Sequence, residues 1–495
     1  MSLPTRQSAA PAATHNTSRA FSRGNLGRPR RLALPWGGPR HPPLDTSPEA
    51  PDPMSVPHVG DLTPSQAAEL LADARERTLL LVGPLSESEL HAQHSTLMSP
   101  VLWDLGHIAH FEELWLVRNL EGPVEFVEMP GMYNPFENPR STRGALPLPG
   151  IAGTLQVMGE VRRRVLDHLV QPPTEAANVS PELLRDGYVF RMVAQHEYQH
   201  DETILQALQL KTDAPYRAPR AVRPPAARPV PADADGMVRF PGGPVEIGTD
   251  DRSAAYDNER PAHRVELPPF RIGAAPVTNA EYLRFLEDGG YTRRELWSDA
   301  GWAWLRESKV EAPQFWARGA EGWTVRRMDR MEALDPQVPV CHVCWHEAEA
   351  YCRWAGARLP TEHEWEAAAS WDPAAGAKRM YPWGDEPPGP LHANLDQLAF
   401  EPAPVGAYPL NVSPIGCYGM IGDVWEWTSS DLSGWPGFRA FPYAEYSQVF
   451  FGPEYKVLRG GSWATRPGAV RNTFRNWDYP IRRQIFSGFR VARDA

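Results

Sequence analysis

The chain has 495 residues, which at roughly 100–200 per domain is room for two to four domains. Hydrophobic residues make up 42%, which excludes a wholly disordered chain, and 50 basic against 61 acidic side chains give a net charge of −11. That charge argues against a general nucleic-acid binder or an anionic-membrane binder. Four cysteines (Cys341, Cys344, Cys352 and Cys417) are too few to staple a chain this long and fit a reducing, cytoplasmic setting. The apolar stretches all fall short of the ~18 residues of a membrane span.

Residues 1–57 are rich in Pro, Ser, Arg and Ala without an apolar period, so they are expected to be a disordered extension, and Met54 is an equally good start. Helical signals begin at Thr63-Pro64-Ser65-Gln66, an N-cap, a first-turn proline and a capping-box glutamine, and run to about Leu81. Ser99-Pro100 repeats the start signal before VLWDLGHIAHFEELWLVRNL. A third helix is expected over Gly153–Leu169, and a fourth carries YVFRMVAQHEYQHDETILQALQL. Four amphipathic helices within 58–214 predict a bundle with a long loop between the second and third. Six prolines between Pro215 and Pro231 mark 215–235 as a stiff, extended connector. Beyond it, 236–495 reads as an α+β domain with much irregular structure, its clearest helices at Asn279–Leu286, Trp345–Ala355 and Thr361–Ala369.

His196 and His200 lie four apart on the fourth helix and share its apolar face with Val189, Val193, Ile204 and Leu208. His107 shares a face of the second helix with Trp103, Phe111 and Leu114. Three inward imidazoles from facing helices can chelate one metal ion, and burying them with no partner is costly. His110 is a rival ligand of worse phase. Zinc and nonheme iron both accept such a set. Glu197, Asp201 and Glu202 are candidates to orient the rings, although a solvated helix edge is the favoured reading of Glu197.

DNERPAHRVELPPFRI, PVTNAEYLRFL, WHEAEAYCRWAGARLPTEHEWEAAA, YPWG, GDVWEWT and LRGGSW occur in that order over residues 257–463. Together they resemble the formylglycine-generating, sulfatase-modifying-factor fold, a C-type-lectin-like architecture. That family carries reactive cysteines just after the RGGS segment. Here no cysteine follows Arg459, so a thiol-redox oxidase mechanism lacks its nucleophile. Cys341-His-Val-Cys344 stands alone, without the second CxxC of a zinc site.

WDLGHIAHFEELWLVR and HEYQHDET make the N-terminal half resemble the DinB-like bundle. The two halves together are similar to the ergothioneine-pathway sulfoxide synthases, or hercynine oxygenases, over roughly 60–495. That resemblance implies Fe(2+) held by His107, His196 and His200, and O2-dependent coupling of hercynine to γ-glutamylcysteine with formation of the S-oxide. It implies Arg140 and Arg143 on the thiol substrate's carboxylate, with Asp478 and Arg482 clasping its amino-acid end. It implies Asn476, Trp477, Gln199 and Tyr446 around hercynine, and Tyr443 as the tyrosine that supplies a hydrogen bond or proton as the S–C bond forms. A monomer is expected. The rival readings are a sulfoxide synthase using free cysteine, an ovothiol-type enzyme acting on unmethylated histidine, and a zinc-dependent thiol-binding or transferase module.

Overall fold

Thr63 caps the first helix as its sequence predicts: its hydroxyl accepts from the Gln66 N–H while the Gln66 side chain accepts from the Thr63 N–H, and Pro64 fills the first turn. The computed structural model describes residues 62–121, 130–170, 181–218 and 222–495; the extension 1–57 lies outside the described residues. Helices α1 (Pro64–Val82), α2 (Val101–Glu112), α3 (Ile151–Val170) and α4 (Tyr188–Leu210) form the bundle, with a short extra turn at Glu87–His91. Their apolar faces meet in two clusters, one around Leu71, Val161, Val165 and Val193, the other around Leu102, Leu105, Met158, Ile204 and Leu208.

Two local features depart from the expected pattern. Ser99 does not cap α2; its hydroxyl accepts instead from Arg143 Nη1 at 2.8 Å. The second helix is also not uniform, because Glu113–Val117 winds as a π-helix before an α-helical turn at Arg118–Glu121. A π turn rotates less per residue than an α turn. Side chains beyond it therefore lag behind the α-helical phase; Trp115, inside the turn, stands beside Phe111 four residues before it, their ring centroids 6.1 Å apart.

Glu197 is 1% exposed, the opposite of a solvated edge. Arg75 Nε donates to it at 2.8 Å, Arg75 Nη2 and Arg162 Nε donate to Glu112 at 2.7 and 2.5 Å, and Arg162 Nη2 lies 3.4 Å from Glu197. Two arginines from α1 and α3 thus neutralise two glutamates from α2 and α4 inside the bundle. The Thr78 hydroxyl sits 2.8 Å from both Glu197 and Asp201.

The described parts of the connector are docked, with no helix or strand over 222–233. Tyr216 is buried and donates to Leu81 O, Val222 N–H donates to Leu398 O, and Arg228 N–H donates to Gly406 O. Gly406 has φ +85°, and a Cβ there would lie 2.1 Å from Arg228 O, so this crossing requires glycine.

In the second domain, antiparallel strands Met237–Phe240, Phe270–Gly273 and Ala492–Asp494 join its beginning to its end. A four-stranded sheet runs in the order Asn476–Asp478, Gly452–Arg459, Trp425–Leu432, Ser487–Gly488. The three expected helices occur at Asn279–Glu287, Trp345–Trp354 and Glu362–Ser370, and a fourth, Asp299–Ser308, was not foreseen. The four cysteines are free thiols, with Cys344 at the start of the helix Trp345–Trp354. Gly460 and Gly461 turn with φ +94° and +82°; a Cβ on Gly460 would lie 2.5 Å from Met420 O.

Glu202 joins this domain to the bundle. Fully buried on α4, its carboxylate accepts from Trp425 Nε1 (2.7 Å), Ser462 Oγ (2.8 Å) and Thr465 Oγ1 (2.7 Å). Arg471 Nη1 donates to Gln195 on α4, and Arg466 pairs with Asp73 on α1. No described helix is long and apolar enough to cross a membrane.

Glu366 is the buried anchor of the second domain, paired with Lys378 and Arg459 and accepting from Gly248 N–H. Burial raises its carboxyl pKa, but Lys378 and Arg459 outweigh this and hold it down to about 2. Its ionised form therefore stabilises the fold fully above the unfolded value of ~4.3, and that contribution falls away as the pH drops toward 2. Glu366→Gln is expected to cost about 3–5 kcal/mol in urea unfolding at pH 7. The gap from wild type should narrow when the titration is repeated near pH 3.

Candidate metal centre

Three of the sequence's candidate ligands converge. His107 from α2 and His196 and His200 from α4 each present a ring nitrogen, all within 4.8 Å of one another, and Nε2 of His107 lies 3.2 Å from Nε2 of His196. His110 is not part of this group.

Each ring is oriented by something behind it. His107 Nδ1–H donates to Tyr133 O at 2.8 Å, and His200 Nδ1–H donates to Asp104 Oδ1 at 3.1 Å, which turns both Nε2 atoms toward the shared point. The His196 ring lies flat on Phe111, centroids 3.6 Å apart and planes 7° apart. Trp103 stacks on His107 at 4.9 Å. Tyr133 reaches His107 because residue 106 is glycine: a Cβ there would come within 2.1 Å of the Tyr133 ring. Burial, then the neighbouring imidazole of His200, pushes the pKa of both His107 and His196 well below the ordinary histidine value, so the rings are neutral and their lone pairs available.

Asp104 is the orienting residue that the sequence reading missed. The candidates for that part, Glu197, Asp201 and Glu202, of which Glu197 reads rather as a solvated edge, instead bind Arg75 and Arg162, Thr78, and the second domain. The available signal was an aspartate three residues before His107 inside an apolar helix, buried to 1% exposure.

The remaining candidates fall into three groups. Arg140 and Arg143 share one 3-10 turn, Arg140–Ala145. Arg143 is buried, with Nε donating to Asn138 O, Nη1 to Ser99, and its guanidinium 3.5 Å from the centre of the Trp103 ring; burial lowers its pKa to about 10. Arg140 is half-buried, and its guanidinium has no partner among the described residues.

Gln199, Tyr446, Tyr443 and Trp477 form a second group. Gln199 Nε2 donates to the Tyr446 hydroxyl at 3.2 Å across the two domains. The Tyr446 ring stands edge-on to Tyr443 (6.3 Å) and to Trp477 (5.9 Å), and stacks on Tyr256 at 4.1 Å. Tyr443 meets Phe111 at 6.3 Å, one ring removed from His196. Asp257 holds both ends of the tyrosine loop, accepting from Phe441 N–H at 3.0 Å and from Ser447 Oγ at 2.7 Å.

Asn476, Trp477, Asp478 and Arg482 form the third. The first three lie on one edge strand, paired with Leu458, Val457 and Lys456. Arg482 Nε contacts Asp478 at 3.2 Å, while its buried Nη1 has no partner among the described residues.

His196→Ala is expected to abolish tight metal binding. Asp104→Asn should weaken it about 10–100-fold, since the amide cannot match the carboxylate as acceptor for His200. Competition against a chromogenic chelator under anaerobic conditions measures both; unchanged affinity in Asp104→Asn would remove its orienting role.

Comparison with known proteins agrees with this two-part layout. The sulfatase-modifying factor enzyme 1-like domain matches residues 223–495, and the DinB superfamily matches residues 70–204. The hercynine oxygenase of Mycolicibacterium thermoresistibile is 49% identical over 455 residues, covering 89% of this chain and 96% of that protein. The hercynine oxygenase of Mycobacterium tuberculosis is 48% identical over 435 residues, covering 87% of this chain and 99% of that one. The formylglycine-generating enzyme of Bos taurus is 36% identical over 230 residues, 41% of this chain and 60% of that one. With both halves matched and the three histidines converging, the chain belongs to the hercynine oxygenase family.

Proposed function

We propose that this enzyme couples hercynine to γ-glutamylcysteine through an O2-dependent C–S bond, giving the S-oxide in a step of ergothioneine biosynthesis. The observation that carries this reading is the three-imidazole cluster facing Tyr443, Tyr446 and Trp477 from the other domain, in a chain about half identical to hercynine oxygenases along nearly its whole length. Iron(II) suits the donor set, three imidazoles with no carboxylate or thiolate among them. When bound, it would supply dioxygen activation and acidify a coordinated thiol.

The chain's own residues do the rest. Arg140 offers a free guanidinium, and Arg143, locked by Ser99, Asn138 and Trp103, offers its remaining Nη2; such a pair grips a carboxylate with little ordering cost. Asp478 presents its carboxylate to an ammonium group, and the unpartnered Arg482 Nη1 is a donor for an adjacent carboxylate. Gln199, fixed through Tyr446, lines the hercynine side together with Asn476 and Trp477. The rings of Tyr443, Tyr446, Trp477 and Phe450 wall off solvent. Burial pushes the Tyr443 phenol above its ordinary pKa, so it stays protonated at neutral pH and can deliver a proton while the S–C bond forms.

Protein loaded with Fe(II) without oxygen, then given hercynine, O2 and either γ-glutamylcysteine or cysteine, should yield the γ-glutamyl S-oxide by mass. No C–S product with either thiol would overturn the assignment. Tyr443→Phe should shift product toward the sulfinic acid of the thiol; an unchanged ratio would refute its role. Arg140→Ala should raise KM for γ-glutamylcysteine about tenfold or more while leaving that for hercynine alone, the loss of one charge-assisted contact.

A further inference from the structure

Asp257 fixes the backbone of the Tyr443 loop at both ends, but within that loop the Tyr443 ring meets only the edge-on ring of Tyr446 at 6.3 Å. Its hydroxyl has no hydrogen-bond partner among the described residues, so the ring is held by its faces and edges alone. Phe111 meets it edge-on at 6.3 Å. The flat contact comes from Trp115, whose ring lies 4.9 Å from that of Tyr443 with the planes 25° apart.

Trp115 sits on an unusual piece of backbone. It lies in the π-helical turn Glu113–Val117, which follows directly on the helix that carries His107. A π turn leaves carbonyls out of the ordinary helical ladder, and here one side chain collects them: Asn119 Nδ2 donates to Leu114 O at 3.3 Å and to Trp115 O at 2.9 Å. The turn is therefore supported. Trp115 stands four residues after Phe111 with its ring tilted against it at 6.1 Å, so that His196, Phe111, Trp115 and Tyr443 make a continuous run of rings from one domain into the other.

The indole also carries a cost that simple packing would not require. Its Nε1–H is buried with no partner among the described residues. Leaving a donor unmet costs about 1–3 kcal/mol, which leucine or phenylalanine at this position would avoid. What the indole has and leucine lacks is a broad flat face, and that face is laid against the phenol.

We propose that Trp115, carried on the π turn, is a positioning residue that sets the orientation of the Tyr443 phenol, one ring removed from His196. The inference rests on the reading of Tyr443 as the proton donor. Trp115 touches neither substrate nor reacting atoms in this scheme; it acts through the tyrosine.

Two measurements test it. The first uses metal-free protein labelled with 3-fluorotyrosine, with the Tyr443 fluorine resonance assigned by its loss in Tyr443→Phe. In wild type the resonance should be narrow and displaced by the indole ring current. Trp115→Leu should move it toward the free-tyrosine position and broaden it, whereas Trp115→Phe, which keeps an aromatic plate, should largely retain the displacement. Trp115→Met serves the same comparison should the leucine variant not fold. The second uses the Fe(II)-loaded enzyme and reads the ratio of sulfinic acid to S-oxide. Trp115→Leu should raise it roughly two- to tenfold, the span expected from aromatic-pair energies, with Trp115→Phe between it and wild type.

An unmoved fluorine resonance in Trp115→Leu overturns the proposal. So does a product ratio in Trp115→Phe as disturbed as in Trp115→Leu, since that would assign the effect to the lost N–H and not to the plate. Should Tyr443→Phe itself leave the ratio unchanged, the reading of Tyr443 fails, and the fluorine measurement still decides whether Trp115 orients the ring.

Discussion

Helix α4 carries His196 and His200 on one face and is gripped by buried carboxylates on two others. Toward the bundle, Glu197 binds Arg75 and Arg162; toward the second domain, Glu202 accepts three hydrogen bonds from Trp425, Ser462 and Thr465. A buried carboxylate stripped of such partners costs several kcal/mol, so each grip resists both rotation and sliding of the helix. Since His107 rides on α2, itself bound to Arg75 and Arg162 through Glu112, one charge network fixes both halves of the ligand set. The Ser462 and Thr465 hydroxyls belong to the stretch just after the paired glycines, so a glycine-enforced turn in the second domain sets the position of the helix that bears two ligands.

The electrostatics divide the interior by purpose. Arginines and glutamates neutralise one another in the bundle, while burial and the neighbouring rings keep the imidazoles of His107 and His196 neutral. On the facing side, burial raises the phenols of Tyr443, Tyr446 and Tyr256, so that wall is uncharged at neutral pH. Further charged side chains stand around this wall, with Arg140 and Arg143 from the bundle loop and the Asp478–Arg482 pair at the edge strand. A neutral, ring-lined interior with charged ends matches two zwitterionic substrates that react through their side chains.

Much of this was readable from short-range pattern. The cap at Thr63, the full extent of α4 and the shared face of His196 and His200 all depend on residues within a turn or two of each other. What the sequence hid was long-range. Glu197 reads as a helix edge because Arg75 lies 122 residues away, and Asp104 reads as a first-turn acid because its partner His200 is 96 residues on. The π turn is equally silent, since periodicity assumes one helical pitch throughout. The connector's proline content does not reveal that Tyr216 and Gly406 pin its described parts down.

The central claim is that three imidazoles, and no other protein side chain, hold the ion. X-ray absorption fine structure of the anaerobic Fe(II)-loaded protein tests it most directly. The account predicts a shell fitted by three imidazoles completed by oxygen donors, falling to two in each of His107→Ala and His200→Ala. A sulfur scatterer in the absence of thiol substrate, or an imidazole count that either variant leaves unchanged, would contradict it.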